Sequence, residues 1–274
     1  MLGKLIKYDL KSYFKTFPLI WLAAVVLAFV NHFTLRHFTE GETSGVVQVL
    51  GMVLPILVYV AVIVVLAVLT LLLVIRRFYS GALKEEGYLT FTLPVKPWQI
   101  VVAKAIAATV ITLITSVVTV ISVMLLMDWS DVAEVISDLT WGLFHNEYLT
   151  AFQSAILCVE LLLTIIVSIA ASVYQIYCAI ALGHLFNKHR AGMAVLMYIV
   201  INVILSSLGT TMVSLVLVGG GNWIEEFFDK LTIADNAFSF GSTVLVISFL
   251  LSAVQVVIYH IVTERILSKR LNLE

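Results

Sequence analysis

Charge is what this sequence has least of. Asp, Glu, Lys and Arg make up 12% of its 274 residues, about half the share of a soluble domain. Hydrophobic residues reach 61% and mean hydropathy is +1.08. The longest polar interval is about twenty residues, too short to hold a domain that folds alone. Short segments of alternating hydrophobicity, which would mark membrane strands, are missing as well. A soluble fold and a β-barrel are both excluded, and an all-α integral membrane protein is left.

Cysteine is nearly as scarce. Cys158 and Cys178 fall on one predicted helix, twenty residues apart. That is about 30 Å along a helix, far beyond a disulfide's reach, so both read as small buried hydrophobes. No Asn-x-Ser/Thr sequon occurs. His32 and His37, and likewise His184 and His189, are five apart without a cysteine or carboxylate in a ligand pattern, so no metal site is expected. The chain also lacks a phosphate-binding loop. Its nearest imitation, "GALKEEGY", has five residues between the glycines and no following lysine. G-x-S-x-G, H-E-x-x-H and paired intramembrane acids are absent too, so no catalytic residues are assigned. Neither a resident cofactor nor a nucleic-acid partner is expected.

What is present is six long apolar runs, at about 17–34, 46–76, 101–127, 149–185, 191–218 and 240–264. About 20 apolar residues suffice to cross a bilayer as a helix. No small-residue cleavage site follows the first run, so it reads as a retained span. Lys and Arg fix the orientation. Fourteen of the sixteen lie before the first span, between the second and third, between the fourth and fifth, or after the sixth; the opposite loops hold only Arg36 and Lys230. Both termini therefore face the cytoplasm, as an even number of spans requires. The whole chain is one transmembrane domain.

Between spans, residues 1–16 form an amphipathic segment. Leu2, Leu5, Ile6, Tyr13 and Phe14 recur at helical spacing, with Lys4, Lys7, Lys11 and Lys15 on another face. That pattern suits a helix in the headgroup plane, its lysines toward anionic membrane lipid. The outer loops are 128–148, which reads as a short surface helix, and 219–239, which either dips into the membrane or lies flat on it. Eleven acids sit on that outer side.

Polar residues recur within the spans at four-residue steps. Glu160, Thr164, Ser168 and Ser172 do so on the fourth, Asn202, Ser206 and Thr210 on the fifth, and Pro55 and Tyr59 share a face of the second. Such stripes pack helices together or line a translocation path or subunit seam. Glu160 has two readings: an acid at the outer interface, if the apolar part begins at Leu161, or a gate or substrate contact.

The cytoplasmic loop 77–100 is the most characterful. Gly87–Leu93 is an uncharged, aromatic-rich run between Glu86 and Pro94, too oily for a solvated tether. The series "RRFY…EEGYLTFTLPV…W…VVAK" over 76–104 resembles the first cytoplasmic loop of ABC-2 type transporter permeases. In particular it resembles the six-helix bacterial subunits whose ATPase is a separate chain. "EGYLTFTLP" is the distinctive match, and the six-span plan with its N-terminal helix extends it over the whole chain. The resemblance implies an ABC-2, type V exporter-like permease in the bacterial cytoplasmic membrane. Glu85, Glu86, Gly87, Tyr88, Leu89, Thr90, Phe91, Thr92 and Leu93 would then form the coupling surface that docks on an ABC ATPase subunit. It further implies a second permease copy or homologous permease, with ATP and Mg2+ bound on the ATPase. The expected function is export of an amphiphilic or hydrophobic substrate: a peptide, an antibiotic or a lipid-like molecule. An ATPase-independent secondary transporter and a non-transporting sensor or immunity subunit are the alternatives.

Overall fold

The computed structural model describes residues 2–40, 45–83, 97–144, 149–186, 190–219 and 233–269. Every regular element among them is an α-helix. In chain order these are α1 (Leu2–Tyr13), α2 (Phe17–Glu40), α3 (Val46–Leu83), α4 (Pro97–Met124), α5 (Trp129–Phe144), α6 (Ala151–Gly183), α7 (Arg190–Gly219) and α8 (Ile233–Lys269). Six of them, α2, α3, α4, α6, α7 and α8, are long and apolar enough to cross a membrane. The protein is a helical multi-pass membrane protein.

Local sequence explains several helix starts. Pro18 lies in the first turn of α2 and Pro97 opens α4, where the missing N–H costs no hydrogen bond. Thr150 caps α6, its hydroxyl accepting from the Gln153 N–H while the Gln153 side chain accepts from the Thr150 N–H. Three helices run longer than their apolar stretches suggest: α2 reaches Glu40, six residues past the expected end at 34. At 38 residues α3 is about 57 Å long and continues to Leu83, past the expected end at residue 76. Arg76 and Arg77 mark where the apolar surface stops, and nothing after them breaks the helix. Likewise α8 begins at Ile233, seven residues before position 240, because Asp235 and Asn236 lower hydropathy without ending a helix.

Hydrogen bonds between spans reveal the helix directions. Trp21 Nε1 donates to Thr115 Oγ1 at 3.0 Å, and His32 Nδ1 lies 3.3 Å from the Leu126 carbonyl. Both pairs are 94 residues apart, so α2 and α4 are parallel. The α6–α8 contacts keep a similar constancy, at 82, 81 and 84 residues, so these helices are parallel too. Consecutive spans thus alternate in direction, and α7 returns the chain between α6 and α8.

The densest packing gathers at one end of the bundle. Val74 and Phe78 of α3, Val101, Ala105 and Ala108 of α4, Tyr174, Tyr177 and Cys178 of α6, and Tyr259 and Leu267 of α8 form one buried cluster. Phe78 and Tyr177 stack with ring centroids 3.9 Å apart. Small residues allow the close approach: Ala103, Ala105, Ala107 and Ala108 of α4 are all buried. At the α6–α7 turn a Cβ on Gly183 would collide with the backbone of Ala194. Near the opposite end, Gly51 makes room for the ring of Phe38 in the same way.

Candidate functional site

The most developed polar constellation lies where α1, α3 and α4 meet. The apolar stripe of α1 runs Leu2, Leu5, Ile6, Tyr13, and Asp9 falls on it one turn before Tyr13. Asp9 is buried, while Lys4, Lys7, Lys11 and Lys15 are exposed. A buried carboxylate needs cationic partners, and α3 and α4 supply them. Arg77 places Nε and Nη2 each 3.2 Å from Asp9 Oδ1. Lys104 brings Nζ to 3.5 Å from the same oxygen, and both Asp9 and Lys104 have side chains only 8% exposed. Such a site is demanding in geometry, because Asp9 and Lys104 have left water and depend on their partners, while Arg77 stays partly exposed.

Tyrosines extend this node toward α6. Tyr177, fully buried, donates its hydroxyl to the Lys104 carbonyl at 3.2 Å and meets the Tyr13 hydroxyl. Burial, and after it the charge of Asp9, raises the Tyr13 hydroxyl above the usual phenol range, so it stays protonated. Tyr13 packs edge-on against Phe17, which seals on Ala107 and Ile111 of α4. The apolar face of α1 is therefore turned onto α4 rather than onto lipid alone. The consequence is mechanical: α1 is fastened to the two helices that bracket residues 84–96. The expected coupling residues Glu85, Glu86, Gly87, Tyr88, Leu89, Thr90, Phe91, Thr92 and Leu93 lie outside the described residues.

A second polar system runs along the α6–α8 contact. Ser242 Oγ donates to Glu160 Oε1 at 2.9 Å. Thr164 Oγ1 donates to its own helix at the Glu160 carbonyl (2.8 Å) and lies 3.4 Å from the Leu245 carbonyl of α8. Ser168 and Ser252 pair at 3.4 Å. Glu160 stands ten residues into α6 and half-buried between two spans, its Oε2 buried with no hydrogen-bond partner among the described residues. Further along the two helices Gln175 Nε2, Tyr259 Oη and His260 Nδ1 are also buried without a partner among the described residues.

The remaining predicted stripe residues do not join this seam. Ser172 is exposed and donates back to the Ser168 carbonyl. On α7, Asn202 donates to the Tyr198 carbonyl and Thr210 to the Ser206 carbonyl; Ser206 and Thr210 are exposed and Asn202 half-buried. Pro55 and Tyr59 are buried elsewhere, at the α2–α3–α4 junction. There Asn31 Nδ2 donates to the Pro55 carbonyl at 3.0 Å, and Tyr59 Oη meets Ser122 Oγ at 2.7 Å. The candidate path residues thus divide among two internal junctions and the outward surface of α6, at Ser172, and of α7.

Among the described residues, no three His, Cys, Asp or Glu side chains converge on a point that could hold a metal. Cys158 and Cys178 are free thiols, the second buried. No protein-family model, curated protein or solved structure matches the chain. Sequence reading missed Asp9 and Tyr177. The signal for Asp9 was present: a lone acid on the apolar face of a lysine-rich helix. Tyr177 had none, since a tyrosine in a span is ordinary until its neighbours are known.

Proposed function

We propose that this chain is the transmembrane subunit of an ATP-driven exporter of ABC-2 type, with both termini in the cytoplasm of a bacterial cell and its ATPase on a separate polypeptide. The observation that carries the reading is Asp9, shared by Arg77 and Lys104. It joins the N-terminal helix to the helix that enters 84–96 and to the helix that leaves it. A partner pressing on Glu85–Leu93 would move α1, α3 and α4 together instead of bending a loose loop. The substrate would be amphiphilic or hydrophobic, because the spans present few charges. The outward polar face of α7 supports a seam with a second permease copy or with cargo.

In the mechanism, closure of two ATP-loaded ATPase subunits displaces the 85–93 surface. The clamped unit α1–α3–α4 then tilts against the α6–α8 pair. Breaking and remaking weak interhelical hydrogen bonds such as Tyr59–Ser122 costs little, so that junction is suited to the sliding contact.

The test is purification of the full chain with its native partners. An ATPase in equal amount is expected, and lysine at both Glu85 and Glu86 together with Thr90→Pro should release it and stop transport. Undiminished association in that variant would remove the loop from the mechanism. A second reading, transport without an ATPase, draws on Glu160, whose Oε2 has no hydrogen-bond partner among the described residues. Uptake by liposomes containing this chain alone would establish it.

A further inference from the structure

A cavity of about 340 Å3 opens beside the ionic node, where α1 turns into α2 and both face α3. It is lined by the polar side chains of Arg76, Arg77, Ser12, Thr16 and Ser80 together with Tyr13, Phe17 and Leu73. Arg77 is held there by Asp9, which fixes its guanidinium. Arg76 is exposed, and its guanidinium has no partner among the described residues. Two guanidinium groups with hydroxyls around them form a donor set that suits a phosphate oxyanion.

The surface beneath distinguishes a lipid from a free anion. Arg76 follows Leu72 by four residues, Leu69 by seven and Val65 by eleven, so these side chains share a face of α3. Val65, Leu69 and Leu72 are all exposed. A ligand with its phosphate in the cleft would find an apolar track leading into the bilayer below it. Leu19 of α2 is also exposed, at 77%, one turn inside the same α1–α2 junction.

We infer that the Arg76–Arg77 cleft is a binding site for the phosphate headgroup of an anionic phospholipid, its acyl chains lying along the exposed face of α3. The site is independent of ATP-driven transport: it would exist whatever partner the chain has. It differs from the general attraction of α1's lysines to a membrane because it depends on specific donors. Arg76 lies outside the ionic node and is exposed, so replacing it leaves the fold intact.

The experiment measures binding of short-chain phosphatidylglycerol to the purified full chain in uncharged detergent by native mass spectrometry. Arg76→Gln is expected to weaken binding about fivefold or more, the worth of one basic contact near a membrane surface. Arg76→Lys should retain most of the affinity, phosphatidylcholine should bind more weakly than phosphatidylglycerol, and inorganic phosphate should not displace the lipid. Lys4→Gln, which removes an equal charge from the exposed side of α1, should change little. An equal loss in Lys4→Gln and Arg76→Gln would show diffuse attraction and overturn the site. Displacement by inorganic phosphate alone would overturn the lipid assignment, and unchanged binding in Arg76→Gln would overturn both.

Discussion

Helices α4 and α7 are both apolar spans of about the same length, yet they sit in opposite surroundings. A third of the residues in the apolar window of α4 are buried within the chain, against none in that of α7. Both carry hydroxyl side chains at helical spacing. All of those on α4 bond their own backbone, but two also reach neighbours: Thr115 accepts from Trp21, and Ser122 meets Tyr59. Among the described residues, those of α7 bond only to their own helix, as Thr210 does, and the Asn202 amide does the same. The same sequence signal, a polar stripe, therefore describes an internal joint in one helix and an open face in the other. Hydropathy cannot separate them, because lipid and a neighbouring span are equally apolar.

Perturbing the α4 side should have the largest effect. Asp9→Ala removes the carboxylate from between Arg77 and Lys104, and about 3–5 kcal/mol of stability should go with it, read as a lower thermal transition in detergent. Adding Lys104→Met should restore much of that loss, since replacing a buried ionic pair by apolar side chains is often neutral. No recovery in the double variant would show that Lys104 holds α4 by something other than Asp9.

Gly183→Val should come next. Its side chain would meet the Ala194 backbone, and overpacking of this kind costs about 1–3 kcal/mol. Gly192→Val, with nothing within 4 Å of an added Cβ, is the matched control and should be tolerated, since valine has a higher helix propensity than glycine. Equal destabilisation at both positions would mean that the α6–α7 crossing does not set the effect.

Tyr59→Phe deletes one interhelical hydrogen bond and should cost about 0.6 kcal/mol, the average for such bonds in a membrane protein. Smallest of all for stability should be Asn202, Ser206 and Thr210 replaced together by leucine. Facing outward, they should shift the thermal transition of the isolated chain by less than about 0.5 kcal/mol. In the proposed exporter, transport should nonetheless fall. A triple variant that is both stable and fully active would leave α7 as plain lipid-facing surface.

Much of this architecture was legible in the residues, and physics says which part. The spans were plain because twenty uncharged residues have one comfortable solution in a bilayer. The ends of α3 and α8 were less so. Arg76 and Asp235 signal where the apolar surface stops, and helices run on past such points when no residue breaks them. Partnerships were the least visible. Glu160, Thr164 and Ser168 sit on the stripe expected of them, but that Ser242, Leu245 and Ser252 meet them depends on how two helices 80 residues apart come into register. Asp9 was readable only by asking why an acid stands on an oily face.

The most direct test replaces Phe91 by a photo-crosslinking amino acid in the intact membrane and identifies what it captures. The account predicts an ATPase subunit, with the adduct lost when Glu85 and Glu86 are reversed in charge. Capture of nothing but lipid and the protein's own helices would contradict it.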